Sequence, residues 1–392
     1  MFQQIFAVTA MSLRGLPSRF GTSSVIVIGI AGVVAVLVSV LAMGLGFQKT
    51  VAGTGRPDRA IVLRGGSNAE LSSALTRENA QTILDAAGVL RDADDKPIGS
   101  AEAVVIVNLP TVADGSDANV TLRGVGRNAF KLRPEARIVE GRMFEPAVRE
   151  LIVGRSAQRQ FRGLSVGSTI AFRDSDWTVV GVFESNADTH ESELMADSET
   201  VLSAYRRNGF QSVTVMLDSA SAFDAYKDAL TTNPTLTVDV KREPEYYAEQ
   251  SKQLTKVLNF LAYFVGGIMA IGAMFGALNT MYSAVSSRSV EIATLRAIGF
   301  SSGPVVISVL VEALLLAALG GTLGAALAWV AFNGNVVNTL GQNFSQIVFR
   351  LNVDPALIGL GILWALVIGF LGGLFPALRA ARLPIVEALR AQ

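Results

Sequence analysis

The chain of 392 residues contains no cysteine and one histidine. Without thiols there is neither a disulfide framework nor a thiolate metal site, so the compartment must be read from topology alone. The single imidazole, His190, stands beside Glu191, Glu193 and Asp197 in HESELMAD. Metal sites usually need more imidazole or thiolate ligands, so this segment reads as a surface acidic loop and no metal ligand set is assigned. Formal net charge is zero, and nothing points to nucleic acid. No G-x-x-x-x-G-K-[ST] loop occurs either; GLGFQKT at 44–50 lacks the spacing, so this chain binds no ATP by the P-loop route. No catalytic or cofactor-binding residues are assigned.

What the sequence does hold is long apolar runs. Half of its residues are hydrophobic and 17% are charged, and the two kinds are segregated. Apolar spans at 25–47, 257–284, 304–332 and 356–376 approach or exceed the roughly 20 helical residues that cross a bilayer core. The expected class is a membrane protein with four transmembrane helices and a large α+β extracytoplasmic domain of two subdomains between the first and second. The first span is longer than a usual signal-peptide core and lacks a small-x-small ending, so it reads as a retained anchor.

Arginines set the orientation. Arg14 and Arg19 precede the first span, Arg288 and Arg296 lie between the second and third, and Arg379, Arg382 and Arg390 follow the fourth, whereas the 333–355 segment has only Arg350, opposite Asp354. The positive-inside rule therefore makes 1–24, 285–303 and 377–392 cytoplasmic, and 48–256 and 333–355 extracytoplasmic. This is the expected topology of a multi-pass protein of the lipid bilayer.

Within the polar block, SNAELSSALTRENAQTILDAAG at 67–88 reads as one helix capped by Ser67 or Asn68 and stopped by Gly88. Strand-like runs follow at AVVIVNL, NVTLRGV, ELIVG, TIAF, WTVVGVF and SVTVML. SAFDAYKDALTTNP is a second helix and LTVDV a further strand. That order places a β-rich insert at about 104–209 inside an α+β frame. After Pro244 no breaker separates EYYAEQSKQLTK from the apolar residues that follow. A single helix running from the polar domain into the second span is expected, with a plain linker as the alternative.

Three spans carry G-x-x-x-G: Gly272 and Gly276, Gly320 and Gly324, and Gly369 and Gly373. Such spacing lets helices approach closely, either as plain packing or as a seam that shifts. Glu312 is the one acid well inside a span. It is either part of a transport or proton pathway or a carboxylate satisfied by a neighbouring helix or interfacial water. In the 285–303 loop, Ile292, Leu295 and Ile298 recur at three-residue spacing while Arg288, Glu291 and Arg296 are polar. A short amphipathic helix ended by Gly299 is expected, with Arg288 and Glu291 able to pair at i, i+3.

This loop resembles the cytoplasmic coupling segment of the FtsX/MacB-type (type VII) ABC transporter permeases, in which N-T-M and a polar turn precede E-I-G-x-x-R-A-I-G. Asn279, Thr280 and Met281 are followed here by Glu291, Ile292, Ala293, Arg296, Ala297, Ile298 and Gly299. The ending FPALRAARLPIVEALR is similar to that of the same family, and HESELMAD resembles part of its periplasmic core domain. Ala293 stands where glycine is usual and Ser287 where an acid is frequent.

The resemblance implies a permease subunit without a fused ATPase, in the bacterial inner (plasma) membrane. A separate cytoplasmic ABC ATPase, holding ATP and Mg, would move the segment around Arg288, Glu291, Ile292, Leu295, Arg296, Ile298 and Gly299. That movement would be transmitted to the outer domains of a permease dimer, of two copies or of a related pair, to drive export or extraction. Chemistry would rest with the partner, and a periplasmic adaptor is compatible with the plan. The alternative is an FtsX-like regulator that activates an extracytoplasmic hydrolase. Substrate identity is not encoded in any recognisable pattern.

Overall fold

The computed structural model describes residues 2–14, 20–341, 345–382 and 384. In chain order the elements are α1 (Phe2–Arg14), α2 (Phe20–Ala52), β1 (Arg59–Arg64), α3 (Arg77–Leu84), β2 (Gly99–Pro110), β3 (Asp117–Val125), α4 (Ala129–Leu132) and β4 (Arg137–Gly141). They continue with β5 (Glu150–Gly154), α5 (Arg155–Gln160), β6 (Thr169–Phe172), β7 (Ser175–Glu184), β8 (Leu194–Asp197), α6 (Ser198–Ala204), β9 (Ser212–Met216) and α7 (Phe223–Thr231). The last are β10 (Val238–Arg242), α8 (Glu243–Ser287), α9 (Ser289–Ala297), α10 (Ser302–Phe332), β11 (Val336–Leu340), β12 (Gln346–Arg350) and α11 (Pro355–Ala381). The chain forms two compact units, one of residues 1–45, 256–335 and 351–392, the other of 46–255 and 336–350.

Among the described residues four helices, α2, α8, α10 and α11, are long and apolar enough to cross a membrane. In their unit, small residues make the seams. A Cβ on Gly320 would sit 2.8 Å from the Val27 carbonyl oxygen of α2, and one on Gly324 would collide with the Ala31 backbone. Gly369 and Gly373 of α11 face Ala317 and Ala313 of α10 in the same way. Close backbone approach thus takes the place of a hydrophobic driving force that lipid cannot supply. A Cβ on Gly272 or Gly276 of α8 would meet no other element within 4 Å, so the third pair makes no seam among the described residues. The same helix exposes Phe260, Phe264, Ile268, Ile271 and Phe275.

The soluble unit is built on ten strands in the order β10-β1-β9-β2-β3-β8-β5-β7-β4, with β6 added to β7. β2 is shared between the two halves of this path: Gly99–Glu102 pair with β9, and Ala103–Pro110 pair with β3. Pairing is antiparallel except for β3 with β8 and β5 with β7. The alternation of side chains along a strand serves two cores. Leu151 and Val153 of β5 face the main core with Val179 and Trp177, and Ile152 faces a smaller one with Phe144, Phe183 and Met195. α3 and α7 cover the first half of the path, where the Tyr226 hydroxyl donates to the Ile83 carbonyl at 3.2 Å.

Several sequence expectations need correction. The helix expected over 67–88 is only Arg77–Leu84, because Thr76 takes the N-cap and its Oγ1 accepts the Asn79 N–H. Upstream, Glu70–Ser72 form a single 3₁₀ turn, and Leu75 is drawn into a bridge with Phe210. β1, β4 and β8 were not anticipated. The 333–355 connection is not a plain loop but holds the β11–β12 hairpin, whose Val348 N–H donates to Ser192 Oγ at 3.0 Å.

Candidate functional site: a coupling helix and a buried charge network

The segment between α8 and α10 folds as expected into a short helix, α9, and the reasons are local. Arg288 leaves helical geometry and breaks α8 from α9. Gly299, at φ +103°, lets the chain turn back, with the Gly299 N–H bonded to the Arg296 carbonyl and the Phe300 N–H to that of Leu295. Ile292 and Ala293 are buried, Leu295 is half-buried, and Ile298 is 71% exposed. The apolar stripe is therefore not uniformly covered: Ile298 lies just past the last helical residue and points away from the core. Arg296, near that same end, is half-exposed, and Glu291, in the first turn, is exposed.

Arg288 does not pair with Glu291. Its guanidinium reaches Glu312 of α10, Nη1 to Oε2 at 2.9 Å and Nη2 to Oε1 at 3.4 Å, both side chains nearly buried. The fork geometry satisfies a carboxylate that would be expensive if left alone in an apolar setting. A cavity of about 210 Å³ lies beside this pair, lined by Val8 and Met11 of α1, Met281 of α8, Ile292 and Leu295 of α9, and Ser308 of α10. Ser308 Oγ donates to the Val8 carbonyl at 3.4 Å. One ion pair thus ties the start of α9 to the interior of α10. The terminal P-x-x-E-A-L-R motif, 384–390, lies outside the described residues except for Pro384.

In the soluble unit a second polar cluster escaped sequence reading altogether. The Arg123 guanidinium is buried and spends all five N–H donors on carboxylates. Nε and Nη2 bind Glu193 at 2.7 and 2.9 Å, Nη1 and Nη2 bind Glu70 at 2.7 and 2.9 Å, and Nη1 binds Glu102 at 2.8 Å. Arg133 Nη1 donates to the other oxygen of Glu102 at 2.7 Å. Burial pushes the Glu102 carboxyl up, but Arg133 and Arg123 outweigh it and hold the group at about 2. Glu193 is likewise resisted by burial and carried well below the usual carboxylate range by Arg123.

His190 belongs to this network, so the reading of HESELMAD as a surface loop is wrong: residues 188–198 are buried throughout. Arg133 Nε has only a proton to offer the His190 Nε2 at 3.3 Å, so Nε2 accepts, and Nδ1 donates to Glu193 at 3.0 Å. The Tyr247 hydroxyl also approaches Nε2 at 3.3 Å. Among the described residues no His, Cys, Asp and Glu group is arranged to hold a metal.

The first turns of α8 are anchored in the same place. Glu243 lies 2.6 Å from the Arg59 guanidinium, with both side chains buried, and the Tyr246 hydroxyl accepts the Glu70 N–H at 3.2 Å. Breaking one partner of a buried pair costs roughly 3–5 kcal/mol, so the root of α8 is held by directional bonds rather than by apolar contact alone. A signal for this cluster does exist in the sequence. Arg123 and Glu102 are single charges inside runs that otherwise read as fully buried strand, and a buried charge requires a partner.

Residues 22–233 match the MacB-like periplasmic core domain and residues 263–385 the FtsX-like permease C-terminal. This chain belongs to the MacB/FtsX-like permease family. Its relatives include the macrolide export ATP-binding/permease protein MacB of Psychrobacter cryohalolentis, 24% identical over 98% of this chain and 58% of that one. MacB of Neisseria meningitidis serogroup B is 27% identical over 98% and 59%. The chain therefore spans less than three fifths of the length of these curated relatives. The extracellular domain of the noncanonic ABC-type transporter YknZ from Gram-positive bacteria overlaps 47% of the chain at 17% identity, with a TM-score of 0.37. Family membership accounts for both halves of the architecture, four membrane helices and a large α+β domain.

Proposed function

We propose that this chain is the permease component of an ABC transporter, converting ATP hydrolysis on a cytoplasmic ATPase into movement of extracytoplasmic domains. The observation that carries the reading is α9, a short helix pinned at its start by Arg288–Glu312, with Glu291 exposed in its first turn and, at its far end, a half-exposed Arg296 and an exposed Ile298. An exposed isoleucine flanked by charge suits docking into a partner's groove. α8 is 45 residues without a break, roughly 67 Å at 1.5 Å per residue. A helix of that length whose first turns are fixed by ion pairs transmits displacement instead of absorbing it. Export or extraction of a substrate from the membrane or periplasm follows as the work done, in the inner membrane, by a dimer of such permeases.

The test is a photo-reactive residue at position 298 in native membranes. A crosslink to a P-loop ATPase, weakened when Glu291→Ala/Arg296→Ala is added to the same chain, is expected. Crosslinking to lipid alone, with ATPase association unchanged in Ile298→Glu and in Glu291→Ala/Arg296→Ala, would overturn the proposal.

A further inference from the structure

Most arginines of the soluble unit sit against a carboxylate, but three that come together from separate segments do not. Arg149 precedes β5, Arg173 lies in the β6–β7 turn and Arg206 follows α6, and all three line one open cleft of about 490 Å³ with Ser175, Ser203 and Asp174. Among the described residues none of the three guanidinium groups has an ion-pair or hydrogen-bond partner, and the Asp174 carboxylate is equally unpartnered. Arg173 lies over the Tyr205 ring, 5.0 Å from its centroid, which aims the guanidinium without neutralising it.

The backbone is strained at the same place. Arg173 and Arg206 have φ of 54° and 51°, and Ala147, two residues before Arg149, has φ of 64°. Left-handed geometry is uncommon outside glycine and asparagine, and such positions gather where a ligand is clamped. Three guanidinium groups brought together against the single Asp174 carboxylate leave the cleft with an excess of positive charge. A second cleft, of about 350 Å³, shares Arg173 and adds Arg207 and Asn108, so the cationic lining continues beyond one small ion.

We infer that this cleft binds a phosphate-bearing anion, the three guanidinium forks taking the phosphoryl oxygens and the Ser175 and Ser203 hydroxyls lying at its wall. Planar forks suit phosphate, and three of them exceed what one carboxylate can accept. The inference concerns the soluble unit alone and does not depend on the coupling role of α9. Soluble phosphate esters and phospholipid headgroups share the chemistry.

The experiment uses the full chain in phosphatidylcholine nanodiscs. One arm titrates inorganic pyrophosphate by calorimetry; the other measures capture of phosphatidylcholine vesicles doped with phosphatidylglycerol. Saturable binding in the first arm alone assigns a soluble phosphate, and binding in the second assigns a headgroup. Affinity is expected to fall by about tenfold for each arginine replaced by glutamine at 149, 173 and 206. Arg142→Gln, at an exposed arginine already bound to Glu150, serves as the control and is expected to bind as the parent does. Arg206→Asn suits its backbone better than arginine does, and is expected to melt no lower than the parent while binding more weakly. No saturable binding in either arm, or equal loss in Arg142→Gln, overturns the inference.

Discussion

Replacing Arg123 by methionine removes the one cation that three buried carboxylates share. The loss is five charge-assisted hydrogen bonds to Glu70, Glu102 and Glu193, and methionine returns none. Leaving buried partners uncompensated costs roughly 3–5 kcal/mol, a large part of the 5–15 kcal/mol that holds a typical domain. The pH dependence is the sharper test. Glu102 is held at about 2 against an ordinary 4.5, so the unfolded chain takes up the proton first as pH falls. That contribution, about 3 kcal/mol, is present in full above pH 4.5 and is lost as pH drops towards 2; Glu193, shifted the same way, adds to it. Asp188 and Glu191 are raised by burial and act oppositely, gaining stability on mild acidification. The wild-type protein is therefore expected to hold or slightly gain stability from neutral pH to about 4.5 and to lose it steeply below. In Arg123→Met the clustered carboxylates repel, so stability is lowest at neutral pH and rises on acidification. Denaturant melts of the full chain in detergent, followed by tryptophan fluorescence across this range, read both curves. Parallel curves for the two proteins would refute the assignment of Arg123 as the organising charge.

Other outcomes follow from the membrane helices. Glu312→Leu leaves Arg288 buried without its partner and is expected to destabilise the protein by about 3–5 kcal/mol, whereas Arg288→Met with Glu312→Leu recovers most of that loss; thermal unfolding in detergent that finds the double variant no better than the single one contradicts the pair. Gly324→Leu forces a side chain into the α2 backbone and is expected to cost about 1–3 kcal/mol. Gly276→Leu, with open space around it, leaves the melting temperature of the monomer unchanged. If it alters self-association measured by crosslinking, the open glycine face of α8 is an intermolecular seam.

The four spans were legible because bilayer thickness imposes a length that nothing in the soluble domain imitates, and the β5 and β6 runs because apolar strands bounded by glycine and charge are unambiguous. The stop at Gly299 was legible for the same local reason. What escaped reading depended on distant partners. Glu312 was visible as an anomaly, yet its partner Arg288, 24 residues earlier, had a closer acid in Glu291 at helical spacing. Local geometry favoured the wrong pair, and only the return of α10 past the start of α9 decides it. HESELMAD looked solvated because acids usually are; Arg123 of β3 and Arg133 after α4 supply the partners that let it be buried. The expected helix over 67–88 failed because its first third is recruited to present Glu70 to Arg123. None of the three arginines at 149, 173 and 206 signals its neighbours, since their proximity exists only after the sheet is assembled.

In the proposed mechanism α9 and the α+β domain work on opposite sides of a bilayer. Because the chain has no cysteine, single cysteines placed at Val112, 51% exposed, and at Ile298, 71% exposed, report sidedness without background. In intact cells a membrane-impermeant thiol reagent is expected to label Val112→Cys and to reach Ile298→Cys only after the membrane is opened. Labelling of both from the same side would contradict the account.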